Sequence, residues 1–145
     1  MTVSLAELMS VAEVDALRPP PRVKPSVWIE DHVVLDAGTS AEPGRYRFAR
    51  TPYLREIVDA TAERDVEEVV CVKSVQVGGS TAIRALTGSW IDMDPGHAII
   101  VYPTEEAARE DVSDRLLPMI RRSPALRRHL TTSPRDLRKD RKSVV

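Results

Sequence analysis

The chain has 145 residues, of which 42% are hydrophobic and 30% charged, as is typical of one globular domain of ordinary size. No run approaches the roughly 18 apolar positions of a membrane span, and the first residues lack the basic start and apolar centre of a signal peptide. The net charge is -1. The single cysteine, Cys71, excludes a disulfide framework and favours a reducing cytoplasm.

Basic residues concentrate toward the end of the chain. Residues 119–145 contain nine Lys and Arg but only two Asp. Such a segment can contact nucleic-acid phosphates, whereas a solvated tail is the more ordinary interpretation of a charged run. Charge alone leaves both interpretations open.

The first half of the chain predicts two helices separated by irregular structure. Residues 5–17 suit an amphipathic helix, and the prolines that follow it predict an extended linker. Residues 27–35 suit a strand or an irregular arm, and residues 37–50 predict a loop. Thr51 and Pro52 have the residue types of an N-cap and a first helical position, so a helix is expected to start there.

The second half predicts two buried strands, each followed by a helix. The valine-rich run Val66–Val72 and the run Ala98–Tyr102 suit strands covered on both faces. A helix follows the first strand, and its apolar face is expected at Ile83, Leu86, Trp90 and Ile91. A second helix begins at Thr104 and should kink or end at Pro118. This order describes a right-handed βαβ unit of an α/β fold, in which ligands bind at the carboxyl ends of parallel strands.

A candidate phosphate loop follows the first predicted strand and reads Lys-Ser-Val-Gln-Val-Gly-Gly-Ser-Thr from residue 73 to 81. The usual pattern is Gly, four residues, Gly, Lys, then Ser or Thr. Gly78 and Ser80 occupy the second-glycine and hydroxyl positions. Gly79 stands where the lysine belongs, and Lys73 stands where the first glycine belongs. The charge has therefore moved to the other end of the loop.

The chemistry of this loop suits a bound phosphate. Two glycines allow close approach of backbone N–H groups, a helix N-terminus follows, and Lys73 supplies a cation. Either Ser80 or Thr81 offers a hydroxyl for Mg²⁺. The backbone amides expected to cradle the phosphates belong to Gln76, Val77, Gly78, Gly79 and Ser80. A purely structural Gly-Gly turn is the alternative.

Several ordered motifs give the chain a resemblance to a known family. They are Ala-Glu-Pro-Gly-Arg-Tyr-Arg at residues 41–47, Arg-Thr-Pro-Tyr-Leu-Arg-Glu-Ile at residues 50–57, the segment 69–81, Tyr-Pro-Thr at residues 102–104 and Asp-Arg-Leu-Leu-Pro-Met-Ile at residues 114–120. Together, over residues 28–128, they resemble the large terminase subunit of tailed phages, lambda type.

The resemblance implies a fold and an activity. Large terminase subunits are ATP-driven motors that package double-stranded viral DNA into procapsids in the host cytoplasm, and a nuclease domain cuts the DNA. Their ATPase core is a P-loop fold with a parallel sheet of the additional-strand type. The implied partners are the small terminase subunit, the portal and procapsid, and further copies of the full-length subunit. The implied cofactors are ATP and Mg²⁺.

The resemblance also assigns roles to individual residues. Lys73 corresponds to a lysine at the start of the P-loop, a known variant in the family, and is the expected catalytic residue. Tyr53 belongs to a segment near the adenine. Tyr46 is a candidate for stacking on the base, with local packing as the alternative. Pro103 and Thr104 correspond to a segment that faces DNA.

Other parts of such a motor are missing from the sequence. No apolar run ending in two carboxylates follows Tyr102, as magnesium binding and water activation would require, and Asp111 and Asp114 are expected to be solvated. No carboxylate cluster of a nuclease is present. The sequence therefore predicts the front part of a longer ATPase and endonuclease.

The predicted organisation has three parts. Residues 1–26 form a helix and a linker, residues 27–139 form the start of an ATPase domain, and residues 140–145 form a non-native tail, because GATCGGAAGAGCGTCGTG, a sequencing-adapter string, encodes them. Two alternatives remain. One is a non-hydrolysing module that binds nucleotide, DNA or protein, and the other is a helicase-like P-loop ATPase unrelated to phage.

Overall fold

The computed structural model describes residues 23–38 and 40–130. The predicted helix 5–17, most of the linker and the tail 140–145 lie outside the described residues. The helices are α1 (Pro25–His32), α2 (Tyr53–Ala60), α3 (Gly79–Met93), α4 (Glu105–Glu110), α5 (Leu117–Arg122) and α6 (Pro124–Arg127). A 3₁₀ turn spans Phe48–Arg50, and a π-helical segment, Asp111–Leu116, joins α4 to α5.

Two short strands form a small antiparallel hairpin. Strand β1 (Val34–Leu35) pairs with β2 (Gly44–Arg45), with Val34 opposite Arg45. The described residues thus form a small mixed helix and strand domain with a two-stranded sheet. None of their helices is both long and apolar enough to cross a membrane.

The long helix α3 is the centre of the core. It packs against α1, α2 and α6, and Ala85 on its inner face is fully buried together with Ile29, Phe48 and Leu126. Gly88 lets α6 come close, because a Cβ at this position would lie 2.9 Å from Cδ1 of Leu126. These contacts fix the direction in which the N-terminus of α3 points.

Carboxylates join segments that are far apart in the chain. Asp59 of α2 accepts hydrogen bonds from the backbone N–H and the hydroxyl of Ser26, both at 2.9 Å. Asp92 near the end of α3 accepts from Trp28 Nε1 at 3.0 Å and lies 2.7 Å from His129 Nε2. The first half of α1 is therefore tied to both α2 and α3.

The structure corrects the prediction for residues 27–35, which form most of α1 and then β1 rather than a single strand or arm. Pro25 occupies the first helical position, where its fixed φ favours a helix and its missing N–H costs nothing. Helix α2 begins at Tyr53, within two residues of the predicted start. Thr104 caps α4 as predicted, since its hydroxyl accepts a hydrogen bond from the N–H of Ala107 at 3.1 Å.

The structure also corrects the prediction of two buried strands. Residues 66–72 and 98–102 form no strand, and most of their side chains are exposed: Val72 is 97% accessible and Val101 85%. A parallel strand takes its hydrogen bonds and its cover from neighbouring strands and helices. Among the described residues the hairpin is the only paired sheet, so neither segment has a neighbour to pair with.

Helix α3 is confirmed, but its buried face differs from the predicted one. Leu86 faces the core as expected, whereas Ile83 and Trp90 are 52% and 38% accessible. The small residues Ala82 and Ala85 lie inward instead. One apolar side of α3 therefore faces outward.

Pro118 does not end the helix that begins at Glu105. The chain passes through the π-helical segment, where the N–H of Leu117 donates to the carbonyl of Val112, five residues earlier, and α5 follows with Pro118 in its first turn. A widened turn is one of the known ways in which a helix accommodates a proline.

A buried ion pair joins this helical run to α3. Nε of Arg84 lies 2.9 Å from each carboxylate oxygen of Asp111, and a guanidinium Nη2 also donates to Asp111. The hydroxyl of Tyr102 donates to the same carboxylate at 2.6 Å. The expectation that Asp111 is solvated is thus wrong, because the partners that bury it come from distant parts of the chain.

These contacts set the charge state of the cluster. Burial opposes ionisation of Asp111, but hydrogen bonds from Arg84 and Tyr102 outweigh it and lower its pKa below the ordinary 3.8. Burial, the hydrogen bond to Asp111 and its charge raise the pKa of Tyr102 to about 12. Asp111 is therefore ionised and Tyr102 is a neutral donor at neutral pH.

We expect Asp111→Asn to lower the free energy of unfolding by about 3 kcal/mol at neutral pH, because it leaves the buried Arg84 guanidinium without its counter-charge. Asp114→Asn, in the same π-helical segment but exposed, should change it by less than about 0.5 kcal/mol. Urea unfolding followed by circular dichroism measures both.

The cost of Asp111→Asn should also depend on pH. Since the folded-state pKa of Asp111 is lowered, its carboxylate stabilises the fold above the unfolded-state pKa, and that contribution is lost as the pH falls through the folded-state value. The difference between wild type and Asp111→Asn should therefore shrink at about pH 3. A difference that is equal at both pH values would contradict the ion-pair interpretation.

Candidate functional site

The candidate site is the loop of residues 73–78 together with the first turn of α3. Gln76 has φ of 60° and Gly78 has φ of 80°, both in the left-handed region. Gln76 is an unusual residue for that region, whereas Gly78 adopts it freely. The two positions turn the chain so that it enters α3 at Gly79.

The start of α3 offers unpaired backbone donors. Its first intrahelical hydrogen bond runs from the N–H of Ala82 to the carbonyl of Gly78 at 3.0 Å. The N–H groups of Gly79, Ser80 and Thr81 precede that bond and so have no partner within the helix. A 15-residue helix also places the positive end of its dipole here. Both features favour an anion.

Lys73 lies across Gly79. A Cβ built on Gly79 would lie 2.5 Å from Cδ and 2.7 Å from Cε of Lys73, and 3.6 Å from its Nζ. Non-bonded carbon atoms do not approach so closely, so any side chain at position 79 would displace the lysine. Compared with the usual P-loop, the lysine stands at the other end of the loop in the sequence. Its ammonium group nevertheless lies beside the helix N-terminus.

Helix α2 supports the loop from behind. The hydroxyl of Tyr53 donates a hydrogen bond to the carbonyl of Val77 at 2.9 Å. Cγ2 of Thr51 and Cδ1 of Leu54 lie 3.3 and 3.7 Å from the position of a Cβ on Gly78. The start of α2 therefore holds the apex of the loop in place.

Tyr46 lies in the core and not at the surface of the site. Its ring is 5% accessible and meets Phe48 edge-on, with 4.9 Å between ring centroids. Burial raises the pKa of its phenol, against the opposing effect of a hydrogen bond with Thr51. Local packing, the alternative to base stacking, therefore describes Tyr46 in this structure.

The hydroxyl residues of the first turn lie in different surroundings. Ser80 is exposed at the helix start, whereas Thr81 is half-buried and lines a small surface pocket with Arg84 and Arg115. The described residues contain no group of three or more His, Cys, Asp or Glu side chains that could hold a metal ion by themselves. Any ion bound here would therefore depend on the ligand for most of its oxygens.

The structure thus brings together most of the predicted site residues. Those gathered around the N-terminus of α3 are Lys73, Gln76, Val77, Gly78, Gly79, Ser80, Thr81 and Tyr53. Tyr46 lies in the core behind the site, beside Thr51.

Sequence reasoning missed two supporting contacts. The contact of Thr51 with Gly78 leaves no sequence signal, because it joins residues 27 positions apart through tertiary packing. The contact of Arg84 with Asp111 could have been anticipated, since Arg84 interrupts the apolar inner face of α3 next to Ala85. A charged residue in such a place needs a partner.

Comparison with known proteins assigns the family. The model of the phage terminase large subunit gpA, ATPase domain, matches residues 40–144, which is most of the chain and includes the whole loop. No curated protein and no solved structure shows significant similarity to the chain. The chain therefore belongs to the family of phage terminase large subunit gpA ATPase domains and represents the ATPase part of the terminase DNA-packaging motor.

Proposed function

We propose that residues 73–81 bind the phosphates of ATP and that Lys73 is the residue that neutralises them. The observation that carries this proposal is the path of the Lys73 side chain over Gly79, which sets a cation beside the unpaired N–H groups of α3. A P-loop places the same three elements around a nucleotide: a cation, a helix N-terminus and a glycine-lined turn.

The proposed roles follow from position. Lys73 contacts the β- and γ-phosphates, and the backbone N–H groups from Gln76 to Ser80 donate to phosphate oxygens. Ser80, whose hydroxyl is exposed at the helix start, is the Mg²⁺ ligand, and Thr81 is the alternative. Magnesium, when bound, supplies positive charge between the phosphates. The donor set fits this arrangement, since one hydroxyl and the phosphate oxygens suit a hard cation.

Tyr53 has a proposed double role. Its hydroxyl fixes the carbonyl of Val77, and its ring, 52% accessible, is free to lie against the nucleobase. Tyr46, the other candidate for base stacking, is buried in the core and supports Thr51 from there. Leu54 is 3% accessible and packs into the core rather than toward the nucleotide.

We further propose that residues 66–72 and 98–102 become strands of a parallel P-loop sheet when other strands pair with them. Their valine-rich composition suits strands buried on both faces, yet Val70, Val72 and Ile99 are 76%, 97% and 89% accessible. The outward side of α3, with Ile83 and Trp90, supplies a matching apolar face. The additional-strand form of the sheet belongs to this proposal.

The remaining functions are proposed for the full-length motor on the basis of family membership. They are binding and cutting of double-stranded viral DNA, assembly with the small subunit, portal and procapsid, formation of a homo-oligomer, and work in the host cytoplasm. The acidic pair that activates water is not assigned in this chain. We therefore propose nucleotide binding for the chain itself, and turnover only with the rest of the motor.

We predict that Lys73→Ala weakens binding of ATP and Mg²⁺ by about 30- to 100-fold, which corresponds to one charge-assisted hydrogen bond. Isothermal titration calorimetry measures the affinity. Lys24→Ala, an exposed lysine just before α1, is the matched control and should leave affinity unchanged. Wild-type affinity in Lys73→Ala would remove the lysine from this role.

A second prediction concerns Gly79. Gly79→Ala should weaken ATP binding by about tenfold, because its methyl group displaces Lys73 and with it part of a charge-assisted bond. It should not destabilise the fold, since alanine favours a helix more than glycine does. Gly38→Ala is the control, because Gly38 is exposed and a Cβ there meets only a side-chain oxygen of Asp36.

The exchange Lys73→Ala with Gly79→Lys tests the same contact in the opposite direction. It returns the lysine to its usual place in the P-loop, with alanine at the position of the first glycine, so the double variant should bind ATP more tightly than either single variant. Additive losses in the double variant would show that the two positions do not share one space.

A further inference from the structure

The second turn of α3 carries a buried side chain that nucleotide binding does not use. Arg84 lies five residues after Gly79, where α3 begins, and is 7% accessible. Its guanidinium group holds both oxygens of Asp111. Because this two-pronged contact fixes orientation as well as distance, a shift of α3 would carry Asp111 with it.

Asp111 also holds a segment that is otherwise loosely attached. We call residues 95–103 the exposed segment, because seven of its nine residues are exposed. Among the described residues, its tertiary hydrogen bond is the one from the hydroxyl of Tyr102 to Asp111 at 2.6 Å. The position of the exposed segment therefore depends on that carboxylate.

The cluster cannot rearrange without a cost. The side chains of Arg84 and Asp111 are only 9% and 15% accessible, so separating them leaves a charge poorly solvated. Asp111 is also the first residue of the π-helical segment, a type of turn that is frequent at functional sites. These features make the three side chains move together.

We propose that Asp111 is a positioning residue that couples nucleotide binding at residues 73–81 to the exposed segment through Arg84 and Tyr102. This inference rests on the proposed function. Nucleotide bound at the N-terminus of α3 orders the exposed segment, and an ordered segment in turn increases affinity for nucleotide by the same factor. The segment leads into Thr104 and α4, so the coupling reaches the start of the next helix.

Hydrogen–deuterium exchange on the whole 145-residue chain, with and without ATP and Mg²⁺, tests the coupling. In the wild type, nucleotide should slow amide exchange in residues 95–103 by about 5- to 10-fold, the low end of typical coupling energies. Tyr102→Phe removes only the hydroxyl, so this nucleotide-dependent slowing should disappear. ATP affinity, measured by calorimetry on the same samples, should fall by the same factor.

Two further variants complete the test. Asp111→Asn should lose the slowing as Tyr102→Phe does, and if its lower stability prevents folding, Tyr102→Phe decides the matter. Asp114→Asn is the matched control, because it changes an exposed carboxylate in the same π-helical segment. It should keep both the slowing and the affinity.

Each outcome separates the coupling from the binding itself. If the wild type binds ATP but exchange in residues 95–103 is unchanged, the coupling is overturned and the proposed function stands. If Tyr102→Phe speeds exchange equally with and without nucleotide, the hydroxyl is only a structural tie and the coupling is again overturned. If the wild type binds no ATP, both proposals fall.

Discussion

The contact between the stem of Lys73 and the α-carbon of Gly79 is the constraint on which the site depends. The lysine stands at the start of the loop, so its ammonium group reaches the phosphate position at the end of the loop only if the side chain crosses the loop. The side chain can cross only at a residue without a Cβ. The glycine at position 79 is therefore the condition that makes the displaced lysine useful. Sequence order and spatial order differ here, and spatial order determines the chemistry.

The rest of the described structure keeps that contact in register. Helix α3 is held on its inner face by α1, α2 and α6, so its N-terminus has a fixed direction. Tyr53 holds the carbonyl of Val77, which limits how far the loop can open. Behind the first turns, Arg84 and Asp111 tie α3 to the helical run that contains Pro118. The loop thus sits on a rigid base, whereas the two valine-rich segments beside it are exposed.

What the sequence could predict follows from how far each interaction reaches. The loop and α3 were predictable because Gly78, Gly79 and the helix after them depend on neighbouring residues. The capping of α4 by Thr104 is local for the same reason. The state of residues 66–72 was not predictable, because a strand exists only with its partners. The solvation of Asp111 was misjudged since its partners, Arg84 and Tyr102, lie 27 and nine positions away.

The most direct test of the central claim is to label the lysine with a reactive group that the bound nucleotide delivers. An acyl-phosphate derivative of ATP transfers its acyl group to a lysine beside the terminal phosphate, and mass spectrometry then locates the label among Lys24, Lys73, Lys139 and Lys142. The account predicts a label on Lys73 that excess ATP with Mg²⁺ suppresses. Labelling of the other lysines alone, or labelling of Lys73 that ATP does not suppress, would contradict it.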